Sequence, residues 1–201
     1  MAMKFDKEVI SVETCYAGFF RLKRYRIRHN LYRGGMSAPL IRERVERLRA
    51  ASVLLYDPQQ DRVVMVEQFR IGALEEAGRG SWLLEPVGGV VHPGEEPEAV
   101  ARREAREEAG CDVHDLIPIC DFFVSPGTAS ERNFLFCGRV YAGSAGGLHG
   151  VQEEGEDIRV EVLTSDEAIA ELYTGRLNST SAIIAIQWLA LHRGRLLREW
   201  R

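Results

Sequence analysis

The stretch from Gly89 to Cys111 reads GVVHPGEEPEAVARREAREEAGC: a loop with two glycines and a proline running into a helix crowded with carboxylates. Glu104, Glu107 and Glu108 fall at i, i+3 and i+4. At about 100° per residue, Glu104 and Glu108 lie about 40° apart, with Glu107 close by on the other side of Glu104. Like charges gathered on one helix face repel one another and destabilise a bare helix, so the pattern asks for a compensating cation. Carboxylate oxygens are the ligands that hard Mg²⁺ or Mn²⁺ prefers, and Glu104 and Glu108 are the first candidates. The plain alternative is a solvated surface helix held by pairs such as Arg103 with Glu107. Pro97 suits a first helical turn, Ala101, Ala105 and Ala109 form a small-residue stripe for close packing on a sheet, and Gly110 predicts the stop.

A chain of 201 residues with 45% apolar and 28% charged side chains is soluble and globular in composition, enough for one domain with a small appendage. No apolar run approaches the roughly 18 residues that span a bilayer, and the N-terminus lacks the apolar core of a secretory signal. Four scattered cysteines without a CxxC pair predict reduced thiols and a cytoplasmic protein. A net charge of −4 advertises no nucleic-acid surface. An anionic substrate would therefore be held by bound metal and a few placed arginines.

Residues 1–47 read as a separate N-terminal β domain and 48–201 as the main domain. In the first, Val9 to Arg28 is strand-like with irregular alternation, followed by a polar turn at Arg33–Gly35 and the charged segment IRERVERLR. In the second, Ala51–Tyr56 and Arg62–Phe69 flank the turn cluster DPQQD as a hairpin, and Trp82–Val87 is a further short strand. Ile117–Val124, Asn133–Tyr141 and Ile158–Leu163 are strands. Thr164 with Glu167 predicts a capping box on a helix ending at Gly175, and Ser179 or Thr180 caps a last helix expected to stop at Gly194. Strands interrupted by helices predict a mixed α/β sandwich.

The stretch also matches, in register, the Nudix box: Gly, five residues, Glu, seven residues, then REUXEEXGU, with U a bulky apolar residue. Gly89, Glu95, Arg103, Glu104, Glu107, Glu108 and Gly110 occupy its fixed positions, while Ala105 and Cys111 are smaller than usual at the U positions. Beyond the box, Glu13–Phe20, Arg28–Ser37, EQFRI, WLLE, SPGTASER, EDIRV and QWLALH resemble bacterial ADP-ribose pyrophosphatases over nearly the whole chain. Pro126, 16 residues after the last box glycine, is the usual mark of that group. Two departures are Thr128 and Ala129, where the family has Gly and Thr, and a segment between Arg70 and Trp82 one residue longer than usual.

The resemblance implies an α/β/α Nudix sandwich with a mixed sheet and a small N-terminal β domain swapped over a partner in a homodimer. It implies a Mg²⁺-dependent (alternatively Mn²⁺-dependent) hydrolase that cleaves the diphosphate of ADP-ribose with metal-activated water, giving AMP and ribose 5-phosphate. Metal would be held by Glu104, Glu108, the Gly88 carbonyl and Glu156, with Glu107 in contact directly or through water. Glu95 would brace Arg103. Glu154, in the acidic loop Glu153–Asp157, resembles the general base, with Glu153 as fallback, and His149 structures that loop. Arg70 resembles a phosphate contact, Arg42, Glu43 and Arg47 contacts at the nucleoside end, and Val90 and Glu131 ribose-side contacts. Phe19 or Phe20 would stack on adenine, against the plain reading of core packing. Two alternatives are a hydrolase of another nucleoside diphosphate sugar such as GDP-mannose, and a non-catalytic module that binds ADP-ribose, although such modules typically lose box glutamates.

Overall fold

In the computed structural model, which describes residues 5–78, 80–151, 153 and 155–200, the chain divides by its contacts into two units. One comprises the chain up to Leu48 together with Phe123–Arg132; the other comprises Arg49–Phe122 and the chain from Asn133 onward.

The first unit is an antiparallel three-stranded sheet of β1 (Lys7–Ala17), β2 (Arg21–His29) and β3 (Leu40–Glu46), in the order β1-β2-β3. The expected single strand-like region is thus a hairpin turning at Gly18–Phe20, and the charged segment IRERVE is part of a strand. Register shifts between Val9 and Ser11 and between Thr14 and Tyr16 explain the irregular alternation, because a bulge reverses which side chains share a face. Phe123–Arg132 joins this unit through the bonds from Val45 N to Thr128 O (2.8 Å) and from Ser130 N to Val45 O (3.0 Å).

The second unit is built on a mixed sheet. Its strands are β4 (Arg49–Asp57), β5 (Arg62–Phe69), β6 (Trp82–Glu85), β7 (Val87–Val91), β8 (Leu116–Phe123), β9 (Arg132–Arg139), β10 (Gly147–His149) and β11 (Ile158–Thr164). The main path runs β10-β11-β5-β4-β9-β8, with β6 on β5 and β7 on β4; β4 and β9 are parallel. The expected strand Trp82–Val87 is split at Pro86, which has no N–H for a ladder. The break hands the chain from the edge of β5 to that of β4. Gly89 therefore sits in a strand, opposite Ala51, rather than in the expected loop.

Helices α1 (Pro97–Ala109), α2 (Ser165–Thr174) and α3 (Thr180–Glu199) cover the sheet. Along β4 and β5 the alternation sends Val53, Leu55, Val64 and Val66 to a core with Val100, Ala101, Ala105 and Ala109 of α1. It sends Leu54, Tyr56, Val63 and Met65 to a second core with Ala182, Ala185, Ile186 and Leu189 of α3. This is the α/β/α layering implied by the resemblance. α1 opens with Pro97 at its first position and closes at Gly110 (φ +62°), with Cys111 N bonding Ala105 O at 2.9 Å and Gly110 N bonding Arg106 O at 3.0 Å. α2 carries the expected capping box of Thr164 and Glu167 and ends at Gly175. α3 does not stop at Gly194. Leu196 and Trp200 continue its buried face, and that burial outweighs the roughly 1 kcal/mol an interior glycine costs.

Candidate active site

The carboxylates of α1 are not equivalent. Val100, Ala101, Glu104, Ala105, Glu108 and Ala109 make up the buried face, so Glu104 (8% exposed) and Glu108 (2% exposed) are carried toward the sheet, while Glu107 is exposed. The Gly88 amide donates to Glu108 Oε2 at 3.0 Å, tying the helix to β7. Burial pushes the Glu108 carboxyl up to about 8, opposed by the Gly88 hydrogen bond, reinforced by the charges of Glu104 and Glu156, and opposed by Arg70. Glu104, Glu156 and Arg70 thus lie within electrostatic reach of Glu108.

Arg103 pairs with Glu104 at 2.9 Å and with Glu107 at 3.0 Å, so the anticipated i,i+4 pair is present beside a second one. Burial works against the Arg103 cation, but Glu104, Glu107 and Glu95 outweigh it and hold its pKa above the usual value. Glu95 itself accepts from the His92 amide at 2.8 Å, so it acts on Arg103 through its charge while fixing the entrance to the helix.

Among the described residues no three acidic, histidine or cysteine side chains form a ready-made metal cage. The donor set nevertheless fits a hard divalent cation. A buried carboxylate resisting ionisation stands beside two others, all donors are oxygen, and the Gly89 backbone leaves space that a Cβ would fill, at 1.9 Å from Glu104 Oε1. Glu156 accepts from the Val151 amide at 2.9 Å, which shapes the acidic loop. His149 Nε2 contacts Gly146 O at 2.9 Å. Glu154 lies outside the described residues.

Arg70 follows β5 in extended conformation and meets Glu85 Oε2 at 2.7 Å. The sequence reading missed Glu85, since its pairing with Arg70 depends on the β5–β6 register and no local pattern announces it. Val90, in β7, is partly exposed, at 43%.

The remaining candidates belong to the first unit. Arg47 Nε bonds Glu131 Oε2 at 2.8 Å, and its guanidinium lies 4.5 Å from the centre of the Phe20 ring. Phe19 meets Phe20 edge-on at 4.7 Å between ring centroids, and at 94% exposed it is no core residue. Ser130 Oγ accepts from Arg47 N at 2.8 Å, which brings the SPGTASER segment to β3. Glu43 is paired with Arg24 at 2.9 Å, and Arg42 Nη1 donates to Ile41 O at 2.8 Å. Phe20, Arg47 and Glu131 thus form one cluster, with Arg42 and Glu43 on the adjoining strand.

Comparison with known proteins agrees with this architecture. The NUDIX domain family model matches residues 46–186. The ADP-ribose pyrophosphatase of Escherichia coli (strain K12) is 46% identical over 197 residues, covering 98% of this chain and 94% of that protein. The ADP-ribose pyrophosphatase of Haemophilus influenzae is 42% identical over 198 residues, covering 98% and 91%. A GDP-mannose pyrophosphatase of Yersinia pestis is 31% identical over 185 residues, covering 92% of each. A crystal structure of an ADP compounds hydrolase has a TM-score of 0.68 at 18% identity over 92% of this chain and 95% of that one, a likeness of fold. With the box intact on α1, the α/β/α layers in place and relatives matched nearly end to end, this chain belongs to the Nudix hydrolase family.

Proposed function

We propose that this protein hydrolyses ADP-ribose to AMP and ribose 5-phosphate with the help of a divalent cation, Mg²⁺ by preference and Mn²⁺ as a substitute. The observation that carries the reading is Glu108. It is a carboxylate 2% exposed, pushed up to about 8 by burial, and set beside Glu104 and Glu156. Without a counter-charge such a group is held protonated at neutral pH, and a bound cation is what lets it ionise beside two other carboxylates. The substrate follows from the relatives: identity to ADP-ribose pyrophosphatases reaches 46%, against 31% to a GDP-mannose pyrophosphatase.

In this reading Glu104, Glu108, Glu156 and the Gly88 carbonyl hold the cation, with Glu107 in a supporting position. When bound, the cation neutralises the diphosphate charge and acidifies water. Arg70, fixed by Glu85, holds a phosphate oxygen. Glu154, or Glu153 in its place, takes the proton of the attacking water as the P–O bond between the two phosphates breaks. Arg42, Glu43 and Arg47 address the nucleoside end, Phe19 or Phe20 stacks on adenine, and Val90 and Glu131 approach the ribose.

The protein works as a cytoplasmic homodimer in which the N-terminal sheet is exchanged between copies. Every residue of β1 is exposed, including Val9, Val12 and Tyr16, and a three-stranded sheet with so little buried surface gains stability from cover.

The test is product analysis of purified protein with ADP-ribose. AMP formed with Mg²⁺ and not with chelator is the expected result. Turnover of GDP-mannose but not ADP-ribose would move the assignment to another nucleotide sugar. Binding of ADP-ribose without cleavage would make the protein a sensor.

A further inference from the structure

Gln68 is 7% exposed, yet its side-chain Nε2 is buried without a hydrogen-bond partner. Leaving a buried amide donor unpaired costs free energy that an apolar residue of the same size would avoid. The position otherwise suits an apolar residue, because β5 reads RVVMVEQF and Val64 and Val66 point into the α1 core. By strand alternation Gln68 continues that face.

The same alternation carries on to Arg70, which stays extended (φ −125°, ψ 113°) and whose amide bonds Ser81 O at 2.7 Å, so the strand geometry persists past Phe69. Glu85, the partner of Arg70, stands opposite Val66 in the β5–β6 register, and Leu83 stands opposite Gln68. Gln68 therefore lies on the face that carries Arg70 and Glu85 and that looks toward Glu108 of α1, on which the charge of Arg70 acts.

We propose that Gln68 is a substrate-binding residue whose carboxamide donates a hydrogen bond to a phosphate oxygen of the diphosphate, alongside Arg70. This deepens the proposed function and rests on it. Two neighbouring donors on one strand, one charged and one neutral, would fix the diphosphate without adding a second positive charge beside the cation site. A neutral donor also leaves the carboxylate cluster undisturbed, whereas a lysine there would pair with it. In the ligand-free structure this nitrogen is closed off from solvent, so the carboxamide turns outward on binding to reach a phosphate oxygen, the acceptor that the protein itself withholds from it.

The experiment compares wild-type protein with Gln68→Met, which keeps the volume and removes the donor. Affinity for a methylene-bridged ADP-ribose analogue, whose diphosphate cannot be cleaved at the bridge, is measured by calorimetry with Mg²⁺; thermal unfolding is measured without ligand. The expected result is a loss of affinity of about tenfold or more, the worth of one hydrogen bond to a charged acceptor, with an unfolding temperature equal to or above that of wild type. Unchanged affinity would overturn the assignment, and so would a lower unfolding temperature together with weaker binding, which is the signature of a packing role. Wild-type protein that neither binds the analogue nor releases AMP from ADP-ribose would overturn the functional reading along with it. Wild-type cleavage with an unaffected Gln68→Met would overturn the Gln68 role alone.

Discussion

Gly89 and Glu104 are in such close contact that a Cβ added to Gly89 would stand 1.9 Å from Glu104 Oε1 and 2.3 Å from its carboxyl carbon. The first glycine of the box is thus a condition for the position of its buried carboxylate. Gly89 is extended in β7 and has no positive φ, so alanine is acceptable to its backbone and the conflict is purely with the side chain. Gly89→Ala is expected to lower kcat about 100-fold, because displacing a catalytic group by about 1 Å has costs of that order. Steady-state kinetics with circular dichroism as a control on folding checks this.

Glu108 makes the ligand-free protein pH-dependent. Its pKa rises from an ordinary 4.5 unfolded to about 8 folded, so the folded state binds more protons between these values. Its contribution to stability is full below about pH 4.5 and is lost as pH rises through about 8. Thermal unfolding without metal should therefore show stability falling from pH 5 to pH 8, and Glu108→Gln should flatten that fall. The same variant should lose turnover by orders of magnitude, since a proposed metal ligand is gone while the fold persists. Near-wild-type turnover would remove Glu108 from the metal site.

Phe19 projects from the β1–β2 hairpin at 94% exposed, so its removal carries little folding cost. Stacking of a base on an aromatic ring contributes about 1–3 kcal/mol. Phe19→Ala is expected to raise KM for ADP-ribose by about fivefold or more at unchanged unfolding temperature. If Phe20→Ala has the larger effect on KM, the stacking role passes to Phe20, whose ring already lies against Arg47.

Asp61 is the only non-glycine residue with positive φ (+53°) among the described residues. Its Oδ1 accepts from Tyr56 OH at 2.8 Å, Ser165 Oγ at 2.8 Å and Arg193 Nε at 3.0 Å, joining the β4–β5 turn to α2 and α3. Asp61→Ala leaves the buried Tyr56 hydroxyl and the Arg193 charge without this acceptor. A destabilisation of about 3 kcal/mol in denaturant unfolding is expected, with kcat for ADP-ribose unchanged.

The elements read correctly from sequence are those whose signals are local. The capping box at Thr164, the stop at Gly110 and the alanine stripe of α1 each lie within a few residues of one another, and helix geometry turns such spacing into position. The gathering of carboxylates on α1 was legible for the same reason. Other features depend on partners distant in the chain. The bulges of β1 are set by pairing with β2, and the split at Pro86 makes sense only once β6 and β7 are seen on different neighbours. Glu104 and Glu108 differ from Glu107 because the sheet covers one side of the helix. Arg70 finds Glu85, and Gln68 is left without a protein acceptor, because strand register decides which side chains meet. The sequence by itself determined the chemistry available to the site, since residue type and helical spacing are properties of the chain. Only the tertiary structure decided which of those groups are buried and perturbed, since burial and pairing belong to surfaces brought together by folding.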